Sequence, residues 1–155
     1  MLRLSKKADY ALIAMRHLAG GAGNSASARE IAESYAIPPE FLAKVMQRLV
    51  RAGLLVSVQG TRGGYKLVRD AHRMTVADVI EAIDGPVAVT ACSPDDHACE
   101  QYDRCEIRDP LWKIKSRIVD ALATVSLAEL AEPPAPAPPA PLVMHSAPRS
   151  QAVAK

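Results

Sequence analysis

The stretch 37-IPPEFLAKVMQRLVRAGLLVSVQGTRGGYKL-67 carries two periodicities in succession, and the switch between them decides the fold. The first part repeats at 3.6. Leu42, Val45, Met46 and Leu49 fall on one side of a helix, while Glu40, Lys44, Gln47 and Arg51 stand at i, i+4, i+7 and i+11 as a polar, mostly basic stripe facing out. Pro39 lies near the first helical position, where its missing N–H does no harm, and Gly53 stops the helix. The second part alternates: Leu54, Val56 and Val58 against Leu55, Ser57 and Gln59, the period of a half-buried strand. Gly60-Thr61-Arg62-Gly63-Gly64 is a turn free to take positive φ, and Tyr65 to Arg69 returns as the second strand.

Upstream, a first helix runs from about Leu4 to Leu18, with Leu4, Ala8, Ala11, Leu12, Met15 and Leu18 on one stripe and Gly20, Gly21 and Gly23 ending it. A second helix starts at Ser27, whose side chain forms a capping box with Glu30; Ile31, Ala32 and Tyr35 are its inward positions. Ala36-Ile37-Pro38 makes the turn into the third helix. Three helices followed by a hairpin is the order of a winged helix-turn-helix, so the fold class is mainly α, with this domain over residues 1–85.

Downstream, a fourth helix starts at Thr75 with Asp78 at the capping-box position; Val76, Val79, Ile80 and Ile83 form its apolar face and Gly85-Pro86 ends it. Residues 86–108 show no period, and all three cysteines lie there. A long helix then opens with Asp109 as N-cap and Pro110 at its first position. Leu111, Ile114, Ile118, Ala121, Val125 and Ala128 alternate by three and four, a coiled-coil seam that makes residues 109–130 a dimerisation helix. Residues 131–155 form a Pro/Ala-rich tail, expected to be disordered and locally extended, with seven of the twelve prolines between Pro133 and Pro148.

At 155 residues, 49% hydrophobic and 23% charged, the chain suits one domain with appendages. Aromatics are only 4%, so the core must be built from Leu, Ile, Val, Ala and Met. No apolar run reaches the roughly 20 residues of a membrane helix. Asp9, Arg16 and His17 interrupt the start, so it does not read as a signal peptide; a soluble, cytoplasmic protein is expected. No nucleophile–base pair, phosphate loop or paired-carboxylate motif is found, which argues against an enzyme. The net charge of +2 conceals an asymmetry. Residues 1–70 hold eleven Lys/Arg against five Asp/Glu, residues 71–110 three against nine, and residues 111–155 five against three. A basic front half beside an acidic insert suggests a polyanion-binding module next to something regulatory.

The polyanion is expected to be a double-stranded DNA operator. A major groove admits one helix, and the third helix offers Gln47 for adenine and Lys44, Arg48 and Arg51 for guanine or phosphate. Arg62 on its Gly-flanked turn suits the minor groove, and Lys6 and Lys7 reach the flanking backbone. The cysteines run Cys92-x6-Cys99-x5-Cys105, without the close pairs of a zinc site. An odd number of thiols argues against a closed disulfide framework. An iron–sulfur cluster, a thiol redox switch and three unligated cysteines all remain compatible with the spacing.

The combined pattern resembles the iron–sulfur cluster-binding winged-helix regulators of the IscR, NsrR, RirA and SufR kind. The resemblance covers Met1 to about Leu130. It rests on Leu4-x4-Asp9-Tyr10-Ala11-Leu12, Ile37-Pro38-x2-Phe41-Leu42, Leu49-x3-Gly53-Leu54, Gly60-x2-Gly63-Gly64-Tyr65-x-Leu67, Val79-x3-Ile83-x-Gly85-Pro86 and the three cysteines. It implies a homodimer that binds a cluster through Cys92, Cys99 and Cys105, with cluster state controlling operator binding. IscR-like members place a His three residues after the third Cys; here that position is Arg108, which cannot ligate. NsrR-like members take a carboxylate from the first helix of the partner subunit, and the matching residue is Asp9. Glu106, His97 and small molecules are the other candidates for a fourth ligand. Two readings of another class stay open: an apo winged-helix repressor with a thiol-based redox switch, and an interaction protein that does not bind DNA.

Overall fold

The structure is a computed structural model and describes residues 3–21, 25–60, 63–88 and 99–133. In chain order it holds α1 (Lys6–Gly20), α2 (Ala28–Ser34), α3 (Pro39–Arg51), β1 (Leu55–Val58), β2 (Gly64–Leu67), α4 (Val76–Asp84), α5 (Arg108–Thr124) and α6 (Leu127–Ala131), with 3₁₀ turns at Ala71–Arg73 and Tyr102–Arg104. A mainly α winged helix-turn-helix is what the sequence periodicities predict.

Local chemistry sets most of the boundaries. Ser5 caps α1, its Oγ accepting from the Ala8 N–H at 3.1 Å. The capping boxes of α2 (Ser27 with Glu30) and α4 (Thr75 with Asp78) are both complete. The Ser27 N–H holds the Glu30 carboxylate below the usual carboxylate range. Pro39 opens α3. At its far end the Gly53 N–H bonds Val50 O and the Leu54 N–H bonds Leu49 O, both at 3.0 Å, with Gly53 at φ +73°. This Schellman motif requires the left-handed residue that glycine supplies without strain. The turn between α2 and α3 closes the same way, with Ile37 N–H on Ala32 O at 2.9 Å, but its left-handed residue is Ala36 at φ +51°.

One core joins these helices: Ala8, Ala11, Ala14, Met15, Leu18, Ile31, Leu42, Met46, Leu49, Leu55, Met74 and Val79 belong to it. The inward sets read for α3 and α4 are all buried. Two inward assignments fail at the edges of the core. Leu4 precedes α1 and is exposed. Tyr35 is also exposed, leaning on His17 of α1 with ring centroids 5.7 Å apart at near right angles.

The hairpin pairs Leu55 with Leu67, Val56 with Lys66, Ser57 with Tyr65 and Val58 with Gly64. Its second strand ends at Leu67, two residues short of the expected Arg69. The inward face is also not the one the apolar set implies: Leu54 and Leu55 are both buried and Val56 is exposed. The pleat holds with the opposite face inward: the paired Val56 and Lys66 are both exposed, while Leu55, Leu67 and Tyr65 lie on the side that packs against the core. Ala26, just before α2, adds a third short rung to the ribbon. Its N–H bonds Tyr65 O at 3.1 Å and its carbonyl takes the Tyr65 N–H at 2.8 Å. Gly64 lies where a Cβ would collide with the Ala26 carbonyl, so this pairing demands glycine there.

The C-terminal part departs most from expectation. The helix begins at Arg108, with Ile107 as N-cap and Pro110 inside the first turn. Proline is tolerated there because the first four helical N–H groups have no intrahelical partner. The single helix over 109–130 is broken. α5 ends at Thr124, Val125 is extended, and Ser126 caps α6 by accepting from Glu129 N–H. The break is held by the main domain: Val76 N–H bonds Val125 O at 3.0 Å and Leu127 N–H bonds Met74 O at 2.8 Å. Leu127 is fully buried in the core of its own chain, so Val125 and Ala128 do not continue the seam. Most of the Pro/Ala-rich tail lies outside the described residues.

Candidate nucleic-acid interface and cysteine segment

The exposed stripe of α3 stands between α1 and the hairpin. Lys7, Phe41, Lys44, Val45, Gln47, Arg48, Arg51 and Ile83 line one concavity of about 290 Å³. Gln47 and Arg51 also line a shallower one, of about 440 Å³, with Val50, Ser57 and Tyr65. One continuous surface, cationic at its rim and apolar at its floor, therefore runs from the start of α1, across α3, to the face of the hairpin. Phe41 steadies it by meeting Tyr10 of α1 edge-on, with ring centroids 5.5 Å apart. Lys6, Lys7, Lys44, Gln47, Arg48 and Arg51 are all exposed. Lys6 does not line either concavity. Arg62 lies outside the described residues.

Ser57 and Tyr65 escape a reading by charge. Their signal was in the hairpin itself: a turn closing Val58 onto Gly64 places them opposite each other, on the face that meets α3. Two members of the basic set have a second engagement: Arg51 donates its Nε–H within α3, to Gln47 O at 3.4 Å, and Arg48 donates its Nε–H to another helix, to Ala82 O of α4 at 3.0 Å.

Cys99 and Cys105 are half-buried free thiols on either side of the Tyr102–Arg104 turn. That turn is closed by Tyr102 N–H on Cys99 O and by Arg104 N–H on Gln101 O, both at 3.0 Å. Cys92 and His97 lie outside the described residues. Among the described residues no three His, Cys, Asp or Glu side chains gather into a metal-holding group. The donor chemistry nonetheless fits a cluster: two thiols flank one tight turn, and thiolate is the ligand iron–sulfur clusters take. Glu106 is exposed on the same segment.

Arg108 is held firmly. Its Nη1 donates to Tyr102 O at 2.9 Å, its Nε to Asp109 at 3.0 Å, and its guanidinium lies 4.5 Å from the Tyr102 ring centroid and 5.4 Å from that of Trp112. The Asp109 carboxylate holds the guanidinium pKa above its ordinary value, with further contributions from Tyr102 and Cys105. The residue three positions after Cys105 is thus a cation fixed on Tyr102 and Asp109. Asp9 is exposed in the first turn of α1. It shares a helical stripe with Ile13 and Arg16, and Arg16 reaches α6. That stripe is distinct from the one that carries Lys7 into the concavity.

A family profile described as "Rrf2: Iron-dependent Transcriptional regulator" matches residues 4–133. The HTH-type transcriptional regulator IscR of Xenorhabdus nematophila is 37% identical over 131 residues, which is 83% of this chain and 79% of that protein. A putative HTH-type transcriptional regulator of Aquifex aeolicus is 32% identical over 123 residues, 78% of this chain and 85% of that one. Among solved structures, CymR, the global cysteine regulator of B. subtilis, superposes with a TM-score of 0.68 at 30% identity, covering 84% of this chain and 97% of that one. T. potens IscR does so at 0.64 and 29%, covering 83% and 85%. These relatives are transcriptional regulators, not enzymes. No described helix is long and apolar enough to cross a membrane.

Proposed function

The chain belongs to the Rrf2 family of transcriptional regulators, and from that premise we propose a homodimeric DNA-binding regulator whose operator affinity is set by an iron–sulfur cluster held by Cys92, Cys99 and Cys105. Such a regulator acts in the cytoplasm, where its operator is. The observation that carries DNA binding is the concavity shared by Lys7, Lys44, Gln47, Arg48 and Arg51, which presents four cations and one amide reader on adjoining helices. The cluster reading is supported by the position of the cysteine segment between α4 and α5 and by the thiols flanking its turn. When bound, the cluster supplies an inorganic core that responds to iron supply, redox state or nitric oxide. Asp9 of the partner subunit is the proposed fourth donor; it is exposed in the first turn of α1 and so free to reach another chain.

The test is anaerobic reconstitution with iron and sulfide, read by visible absorption and bound iron. Wild type should turn brown and load iron. Cys92→Ser, Cys99→Ser and Cys105→Ser should each lose the spectrum, because a neutral hydroxyl supplies neither the charge nor the polarisability iron needs. Asp9→Ala should change it. Full loading of Cys99→Ser with an unaltered spectrum would sink the three-cysteine site. A colourless, iron-free wild type that still binds DNA would favour the thiol switch, for which the two half-buried free thiols Cys99 and Cys105 are the supporting observation.

A further inference from the structure

The last turn of α4 touches the DNA-facing surface at three points. The Ala82 carbonyl accepts from Arg48 Nε at 3.0 Å. Ile83 lines the concavity beside Lys7 and Lys44. Asp84 accepts from Ser5 twice, Oδ1 from the hydroxyl at 2.6 Å and Oδ2 from the backbone N–H at 3.1 Å. The same Ser5 hydroxyl caps α1, the helix that carries Lys7.

We propose that Arg48 is a positioning residue, locking the recognition helix α3 to the end of α4, and that with Asp84 it makes this turn a joint holding α3 and the start of α1 in register for the groove. The inference rests on the DNA-binding reading above and reassigns one residue of the expected DNA-contacting set. The last carbonyls of a helix have no intrahelical acceptor role, and they carry the negative end of its dipole, so a guanidinium is a fitting cap for Ala82. Arg48 stands at the margin of the stripe formed by Lys44, Gln47 and Arg51, on the side of α4, and while it lines the same concavity its Nε–H is committed to the α4 carbonyl. Arg16 shows that the chain uses this device elsewhere, its Nε–H closing the end of α6 on Leu130 O at 3.0 Å. Immediately after Asp84, Gly85 (φ +84°) ends the helix and the chain leaves toward the cysteines. The joint is therefore the first part of the winged domain that a rearrangement of the cysteine segment meets.

The experiment uses full-length protein and a fluorescent duplex selected by the wild type from a random-sequence pool. Affinity is measured against salt concentration for wild type, Arg48→Gln, Arg48→Ala and Arg51→Ala. Glutamine keeps an N–H donor but no charge. A phosphate contact removed should flatten the log–log salt slope by about 0.9, as expected for Arg51→Ala. Arg48→Gln should keep the wild-type slope, and Arg48→Ala should lose about tenfold in affinity, also at unchanged slope. A slope reduced by about 0.9 in Arg48→Gln would make Arg48 a phosphate contact and overturn the proposal. Hydrogen exchange on the free protein provides an arm that needs no DNA: Arg48→Ala should speed exchange of the Gly85 amide, which bonds Glu81 O at 3.0 Å. Unchanged exchange would overturn the joint. A wild type that selects no sequence defeats the DNA-binding reading instead, and the exchange arm still decides the joint.

Discussion

Arg16 of α1 donates its Nε–H to the carbonyl of Leu130 at 3.0 Å, across 114 residues of sequence. This bond closes the end of α6 and fastens the C-terminal part of the chain to the first helix. With Leu127 buried beneath it, the far end of α5 is anchored to the winged domain. The near end of α5 follows directly on the cysteine segment. A change in that segment would therefore act on a helix already pinned at its other end, and a pinned helix pivots more readily than it slides.

Leu127→Ala should cost about 2–5 kcal/mol, the range for truncating a fully buried leucine. Denaturant unfolding checks this. A loss below about 0.5 kcal/mol, typical of a surface position, would mean that α6 is not part of the core.

Ile118→Asp should yield monomers. α5 has no buried residue within its own chain, Ile114 is 46% exposed, and Leu111, Ile114, Ile118 and Ala121 share one face. Such an apolar stripe is rarely left in water, and a twofold pairing would cover it. Sedimentation at micromolar concentration should show a dimeric wild type and a monomeric variant. A monomeric wild type refutes the dimer.

Lys44→Ala and Arg51→Ala should each weaken DNA binding and lower the salt slope by about 0.9, if each neutralises one phosphate. Gln47→Ala carries no charge change, so it should reduce discrimination between operator and non-operator DNA while leaving the slope alone. Binding isotherms at several salt concentrations separate the two behaviours. Wild-type affinity in both charge variants would remove α3 from the groove.

Ala36→Gly should stabilise the protein by up to about 1 kcal/mol. Alanine at φ +51° carries a left-handed penalty that glycine escapes, partly offset by the greater freedom of glycine in the unfolded chain. Thermal unfolding should move up by a few degrees. A fall in the midpoint would show that the Ala36 methyl contributes packing that outweighs the strain.

The 3.6-period stripes of α3 and α4, the two capping boxes and the Gly53 stop were legible from the residues alone, because each depends on neighbours within a few positions. The cation–amide set of α3 was legible for the same reason: one helix face is a local property. What the residues could not disclose was long-range competition. Leu127 sits in a run whose spacing suits a coiled-coil seam, and a continuous helix would be the local optimum. Burial against α1 and two backbone bonds, to Met74 and from Val76, break that helix instead. Arg48 reads as one more base on a basic helix until α4 is packed beside it and an unpaired carbonyl at Ala82 claims its donor. Hydrogen-bond capacity left over at helix ends is invisible in a sequence, because its partners are chosen only when the helices meet.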